Sequence, residues 1–256
     1  MVSSTWVFYC KAEQFVRTEK IIYHTIVIYT DTEANRLIAS LEHRQEFAVS
    51  AVRRLYLGEV VQESPGTRIL DICKGVTDLT LNTICFSRLT ENRILAPLQA
   101  LPLTYLSMSL SALFYRQHAR LSNLQITWSI THLHLTDVWA TWKGVNVGLT
   151  GLTQLSHLSL RWSMYNSNFD MLREVLESTN LKVLVLWKRE YANEYDALVS
   201  CLSHEGLEDR RVVFLDSRRY VLYLVYGGFW RYAEDLVEWR EESDGMSQSI
   251  TSAASR

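Results

Sequence analysis

The stretch LSHLSL, residues 155–160, places leucines at positions 155, 158 and 160. The same spacing of three apolar residues recurs along the chain. The middle residues of its copies are Ile26, Leu55, Leu79, Leu106, Leu133, Leu158, Leu184 and, in a weaker eighth copy, Val213. The successive gaps are 29, 24, 27, 27, 25, 26 and 29 residues, too regular to arise readily by accident. Such self-similarity predicts a repeat protein.

Helices are predicted between the copies. Thr30 and Glu33 have capping-box spacing, which predicts a helix over 31–44. Ser64 followed by Pro65 resembles an N-cap, and Gly75 suits a left-handed C-terminal residue, so a second helix is predicted over 65–74. Two further helical stripes are predicted: Phe169, Leu172, Val175 and Leu176, and then Tyr195, Leu198, Val199 and Leu202.

Each unit is therefore a short strand, a turn and a helix of about 25 residues, which cannot bury both of its apolar faces alone. We predict an α/β fold, an open leucine-rich-repeat-like solenoid with a parallel sheet on one face and helices on the other. The predicted parts are an N-terminal cap or remnant over 1–20, the solenoid over 21–228, a C-terminal capping helix over 229–242 and a disordered tail over 243–256.

Composition sets the expected partners and compartment. The 256 residues include 48% hydrophobic and 21% charged residues, with a net charge of −2. This balance favours neither nucleic acid nor a membrane surface as a partner. The cysteines, Cys10, Cys73, Cys85 and Cys201, form no CxxC pair, and no signal sequence is visible. We expect reduced thiols in a cytoplasmic or nuclear protein.

The residues flanking the inward leucines are expected to line the outward face of the sheet. Solenoids bind partners on such faces, and aromatic and arginine side chains dominate interface energetics. We therefore predict an unidentified protein target held on this face, against the alternative that it is only solvated. The predicted anchors are Tyr56, Tyr105, His132, His134, His157, Arg161 and Trp187.

The histidines allow a second hypothesis. His132 and His157 precede the middle leucines of successive copies, so the two rings are expected to be lateral neighbours, with His134 nearby. Three imidazoles can hold Zn²⁺, but the sequence identifies no carboxylate or cysteine to complete the set. Enzyme motifs are also absent from the sequence. Surface histidines, no cofactor and no metal are therefore predicted, and a metal-binding or hydrolytic enzyme is the alternative.

Two aromatic features lie near the strand ends and the C-terminus. One is a group of tryptophans comprising Trp139, Trp142, Trp162 and Trp187, which either form a pocket or fill gaps in the core. The other is the segment 229–241, whose apolar residues have helical spacing between acidic ones. We predict that it caps the last repeat and that its acidic face pairs with Arg210, Arg211, Arg218 and Arg219; a partner-binding amphipathic helix is the alternative.

The chain resembles the leucine-rich-repeat region of F-box-type proteins of fungi. The similar stretches are IIYHTIVIYT at 21–30, AVRRLYLGE at 51–59, ITHLHLTDVWATWKG at 130–144 and LTQLSHLSLRW at 152–162. The resemblance implies that the repeats select a target protein. In that family an N-terminal F-box with a Leu-Pro start binds a Skp1-type adaptor, but only some 20 residues precede the first repeat here, and they contain no Leu-Pro. The resemblance therefore does not predict a Skp1-type adaptor; a truncated family copy without present function is an alternative.

Overall fold

The computed structural model describes the following residues: 18–82, 93–110, 121, 129–138, 148–161, 169–177, 180–188, 200, 202–216 and 228–254. The chain divides into two compact units. The first comprises Met1–Gln117 with Leu124–Ile130, and the second comprises His118–Asn123 with Thr131–Arg256. Both units are α/β, with parallel strands and helices.

The first unit contains four parallel strands that pair in chain order. They are β1 (Thr25–Ile28), β2 (Arg54–Leu57), β3 (Asp78–Leu81) and β4 (Tyr105–Met108). The helices between them are α1 (Asp31–Leu41), α2 (Gln45–Ala51), α3 (Glu63–Ile72) and α4 (Leu95–Gln99). Helix α1 packs against α3, and α3 packs against α4, so the helices form a layer of their own.

The second unit repeats this arrangement of strands. Its parallel strands, again paired in chain order, are β5 (His132–Val138), β6 (His157–Arg161), β7 (Val183–Lys188) and β8 (Val212–Asp216). A short 3₁₀ turn lies at Leu149–Gly151, and the helices are α5 (Phe169–Leu176) and α6 (Gly228–Ala254). Helix α6 extends to Ala254, within the segment 243–256 that is predicted as a tail.

The predicted leucine register is confirmed within both units. Ile26 pairs with Leu55, Leu55 with Leu79, and Leu79 with Leu106. In the second unit Leu133 pairs with Leu158, which in turn pairs with Leu184. The leucines of this register are each at most 2% exposed and form the spine of the core. Stacking of successive copies therefore buries a continuous apolar surface, as the repeat pattern predicts.

The register predicted for the last strand is wrong by one residue. Val212, not Val213, pairs with Leu184, and Val213 pairs with Val185. Both valines are nevertheless buried, at 4% and 0% exposure. Strand β8 is covered on its two faces, so the alternation that specifies a register is missing from its sequence.

The predicted helices are confirmed in place but differ at their ends. Helix α1 starts at the predicted capping box but ends at Leu41, and α2 follows as a separate helix that was not predicted. Helix α3 begins at Glu63, so Ser64 lies inside its first turn and is not the N-cap. Helix α5 buries Leu172, Val175 and Leu176 as expected. Of the stripe predicted at 195–202, only Leu202 lies among the described residues.

Gly75 does not have the left-handed conformation that was predicted. The described glycines with positive φ are Gly148 and Gly206. At Gly75 an added Cβ would lie 1.8 Å from the carbonyl oxygen of Val49 and 2.8 Å from its carbonyl carbon. Gly75 is therefore needed because two backbone segments approach closely.

Hydroxyl side chains just before β3, β4 and β6 form hydrogen bonds to the preceding copy of the repeat. Thr77 donates its hydroxyl to the carbonyl oxygen of Arg53 at 3.4 Å, and Thr104 donates to that of Thr77 at 3.4 Å. In the second unit the hydroxyl of Ser156 donates to the carbonyl oxygen of Thr131 at 3.2 Å. Backbone N–H groups reach the same three carbonyls. The residue before each of these strands thus joins neighbouring copies.

Replacing Thr30 with alanine tests the capping box. The Thr30 hydroxyl accepts from the Glu33 N–H, and the Glu33 carboxylate accepts from the Thr30 N–H at 3.0 Å. We expect Thr30→Ala to lower the free energy of unfolding by about 1 kcal/mol, measured by urea denaturation. Thr32→Ala, in the same exposed turn but outside the cap, is the control. Equal effects of the two substitutions would contradict a capping role.

No helix in the described part of the chain is long and apolar enough to cross a membrane.

Among the cysteines only Cys73 is described; it is free and buried. Burial raises the pKa of the Cys73 thiol to about 12, so it is a protonated core residue at neutral pH.

Candidate functional site

The outward face of the first unit is accessible at β1 and β2, whereas Ser107 on the same face of β4 is buried. Val27 is 38% exposed and Tyr29 is 50% exposed, and both lie on the side of the sheet that carries Tyr56. The rings of Tyr29 and Tyr56 pack at a centroid distance of 5.5 Å. On the same face, Arg54 lies 3.6 Å from Asp78, with both side chains partly exposed. This surface combines two tyrosines, a valine and a partly exposed ion pair.

The tyrosines of this face keep their protons at neutral pH. Burial raises the pKa of Tyr56, whose hydroxyl accepts from the Asn82 side-chain amide at 3.3 Å. Burial also raises the pKa of Tyr105 to about 12. Tyr105 is only partly buried as a whole residue, so its hydroxyl is the enclosed end. Both phenols are therefore neutral groups that can donate a hydrogen bond.

In the second unit the corresponding face is covered by helix α6. Phe229 and Ala233 are fully buried, Trp230 is 6% exposed and Val237 is 7% exposed. The helix packs against β7 and β8, and its first aromatic residues reach the histidines of β5 and β6. The segment predicted as a C-terminal capping helix thus packs against the last strand, β8, and also contacts the outward face of the earlier strands of this unit.

Several predicted anchors are therefore not available as exposed residues. His134, His157 and Trp187 are 0%, 5% and 6% exposed, and the expectation that they face solvent is wrong. Phe229 packs on His134 at 5.9 Å between ring centroids. Tyr56, Tyr105, His132 and Arg161 remain partly exposed, and Arg161 lies over the Trp187 ring at 5.6 Å. Trp139, Trp142 and Trp162 lie outside the described residues.

His132 and His157 are lateral neighbours, as the register predicted. Their rings stack at 4.1 Å between centroids with an angle of 6° between planes. The Trp230 ring contacts each of them edge-on at 5.4 Å. Two imidazoles from adjacent strands are thus held parallel beneath one aromatic residue of α6.

Each of these imidazoles is oriented by the hydroxyl of the residue before it. Nδ1 of His132 lies 2.9 Å from the Thr131 hydroxyl, and Nδ1 of His157 lies 2.8 Å from the Ser156 hydroxyl. The Ser156 hydroxyl also lies 3.2 Å from the Thr131 carbonyl oxygen. It therefore contacts both the His157 ring and the backbone of the preceding copy.

Glu234 completes this cluster from helix α6. One of its carboxylate oxygens lies 2.8 Å from Nε2 of His157, yet the contact lacks hydrogen-bond geometry. Burial, together with the positive charge of Lys182, lowers the pKa of His157 to about 4. Burial alone lowers the pKa of His134 to about 3. Both histidines are neutral at pH 7, so the contact between His157 and Glu234 is not an ion pair.

An open cleft of about 810 Å³ begins beside His157 and Glu234. Its charged lining comprises Lys182, Glu208, Asp209, Arg210, Arg211, Glu234, Glu238 and Glu241. Arg210 pairs with Glu241 at 3.3 Å, and Arg211 pairs with Asp209 at 2.6 Å. The pairing expected between the acidic face of the helix and these arginines is thus confirmed for Arg210.

Comparisons with protein-family models, with curated proteins and with solved structures find no match.

Sequence reasoning missed Glu234 as a neighbour of the histidines. The available signal was strand β7, whose sequence VLVLWK is apolar on both faces. Continuous apolar runs are typical of strands that are covered on both sides. This run indicated that part of the chain had to cover the histidine-bearing face.

Proposed function

We propose that this chain is a non-enzymatic protein-recognition module of the leucine-rich-repeat-like type. It binds its target on the outward sheet face of the first unit. The observation that supports this most is the contrast between the units: aromatic and charged side chains are exposed on this face in the first unit, whereas helix α6 covers it in the second. The role matches that of a target-selecting repeat region related to F-box proteins.

The chemistry of the face defines the partner. Val27, Tyr29 and Tyr56 offer apolar area with little rotamer entropy to lose. Arg54 and Asp78 are 3.6 Å apart and partly hydrated, so each can exchange its partner for a group on the target. The fitting target is a protein segment that places an apolar side chain on the tyrosines and an acidic group next to Arg54.

A site-directed crosslink tests this face. A photoreactive amino acid at Val27 captures the target, which is identified, purified and titrated against the unmodified chain by calorimetry. We expect Tyr56→Ala to weaken binding at least about tenfold, because buried aromatic anchors dominate interface energies. Arg54→Ala is expected to weaken binding by less and to reduce its salt dependence.

Arg36→Ala provides the matched control, because Arg36 is exposed on the helix layer of the same unit. It removes the same charge as Arg54→Ala and is expected to leave binding unchanged. Melting curves of all variants establish that the fold is kept. Unchanged affinity in both Tyr56→Ala and Arg54→Ala would exclude this face as the binding surface.

A further inference from the structure

We propose that His132, His157 and Glu234 form a binding site for a divalent first-row transition metal ion, with Zn²⁺ as the best-fitting member. Two ligands come from adjacent strands, β5 and β6, and the third comes from helix α6. The ion therefore has ligands on both the helix and the sheet and holds the two elements together. This proposal concerns the second unit and is independent of the recognition face of the first.

The donor atoms lie near the spacing that such an ion requires. One ligand atom from each of the three residues lies within 4.8 Å of the others. A tetrahedral zinc ion with ligands at about 2.1 Å holds its donors about 3.4 Å apart. To reach that distance, the parallel rings have to tilt so that their nitrogens converge, and the Glu234 side chain has to rotate. Imidazole and carboxylate are common zinc ligands.

The contact between His157 and Glu234 places two suitable ligand atoms side by side. Nε2 of His157 is buried and makes no hydrogen bond, and it lies 2.8 Å from a carboxylate oxygen of Glu234. An imidazole nitrogen and a carboxylate oxygen are donor atoms that divalent transition metal ions prefer. His157 is 5% exposed, so water has little access to this nitrogen.

The surroundings of the ligands also match a metal site. Protein histidines that bind metal usually donate their second ring nitrogen to an oxygen, which fixes the ring. The hydroxyl oxygens of Ser156 and Thr131 lie next to Nδ1 of His157 and His132, in the place of such an acceptor. Five carboxylates and three cationic side chains line the adjacent cleft, which gives it a formal charge of −2 and leaves room for a water as fourth ligand.

Titration of the chelator-treated full-length chain with ZnCl₂ tests the proposal. Calorimetry at neutral pH is expected to show one saturable site of micromolar or tighter affinity. Co²⁺ in the same site is expected to give the visible absorption of four-coordinate cobalt. Hydrogen exchange of the amides of α6 is expected to slow on adding Zn²⁺, because the ion joins this helix to the sheet.

Glu234→Gln is the decisive variant, because the Glu234 side chain is 42% exposed and its replacement leaves the packing intact. It is expected to weaken Zn²⁺ binding by more than the about 10- to 100-fold typical of outer-shell changes. Ser156→Ala is expected to fall within that range. Glu238→Gln, one turn further along the same helix and lining the same cleft, is expected to bind like the unmodified chain.

Two results would overturn the proposal. One is the absence of saturable Zn²⁺ binding to the unmodified chain. The other is equal Zn²⁺ affinity in Glu234→Gln and the unmodified chain, which would place the ion elsewhere. Circular dichroism of each variant establishes that a loss of binding does not come from unfolding.

Discussion

Phe229→Ala is expected to lower the free energy of unfolding of the second unit by about 3–5 kcal/mol, the range for removing a buried phenylalanine. Phe229 is fully buried, lies 4.2 Å from the Trp230 ring centroid and packs on His134. The substitution leaves a cavity between α6 and the sheet face. Alanine keeps the helix propensity, so the loss comes from packing.

Urea denaturation followed by tryptophan fluorescence measures this effect, because six of the eight tryptophans lie in the second unit. Hydrogen exchange of α6 separates undocking of the helix from unfolding of the whole unit. We expect faster exchange in α6 and in the amides of β7, the strand on which α6 packs.

Trp239→Ala is the matched control, since Trp239 lies on the same helix but is 65% exposed. Its expected effect is within about 0.5 kcal/mol, as for most surface substitutions. If Phe229→Ala and Trp239→Ala destabilise equally, helix α6 is not docked through its buried aromatic face.

The docking of α6 also explains which parts of the fold the sequence could predict. Positions 55, 79, 106, 133 and 158 are leucines between more polar neighbours, so their burial follows from the alternation of a strand. In β8 the residues Val212, Val213, Phe214 and Leu215 are all apolar. A strand covered on both faces has no polar residue that indicates the register. The predicted pairing of β8 with β7 is therefore displaced by one residue.

The candidate site was predictable only in its local part. The neighbouring positions of His132 and His157 follow from the repeat spacing, and the structure confirms them. Glu234 lies 77 residues after His157 and reaches it because Phe229 and Trp230 dock on the sheet. From the sequence, polar residues such as His134 and Ser159 are expected to be exposed. In the structure both are fully buried, and Phe229 of helix α6 packs on His134.

Gly75→Ala is expected to lower the free energy of unfolding of the first unit by at least about 3 kcal/mol, the upper end of typical overpacking costs. The new Cβ would lie 1.8 Å from the carbonyl oxygen of Val49. That neighbour is backbone of α2, which no side-chain rotation can move away. The same substitution also disturbs the carbonyl of Gly75, which accepts from Nη1 of Arg53 at 2.8 Å.

Gly66→Ala is the control in the same unit, and it is expected to change the free energy of unfolding in the opposite direction. Gly66 lies inside helix α3, and a Cβ there would meet Leu57 Cδ1 at 3.7 Å and Val61 Cγ1 at 3.9 Å, which are ordinary contacts. Alanine in a helix interior is favoured over glycine by about 0.5–1 kcal/mol, so stability is expected to rise. Urea denaturation followed by circular dichroism measures both variants. If Gly75→Ala proves as harmless as Gly66→Ala, the close approach between α2 and the start of the third copy is absent, and the stacking of copies in the first unit needs another explanation.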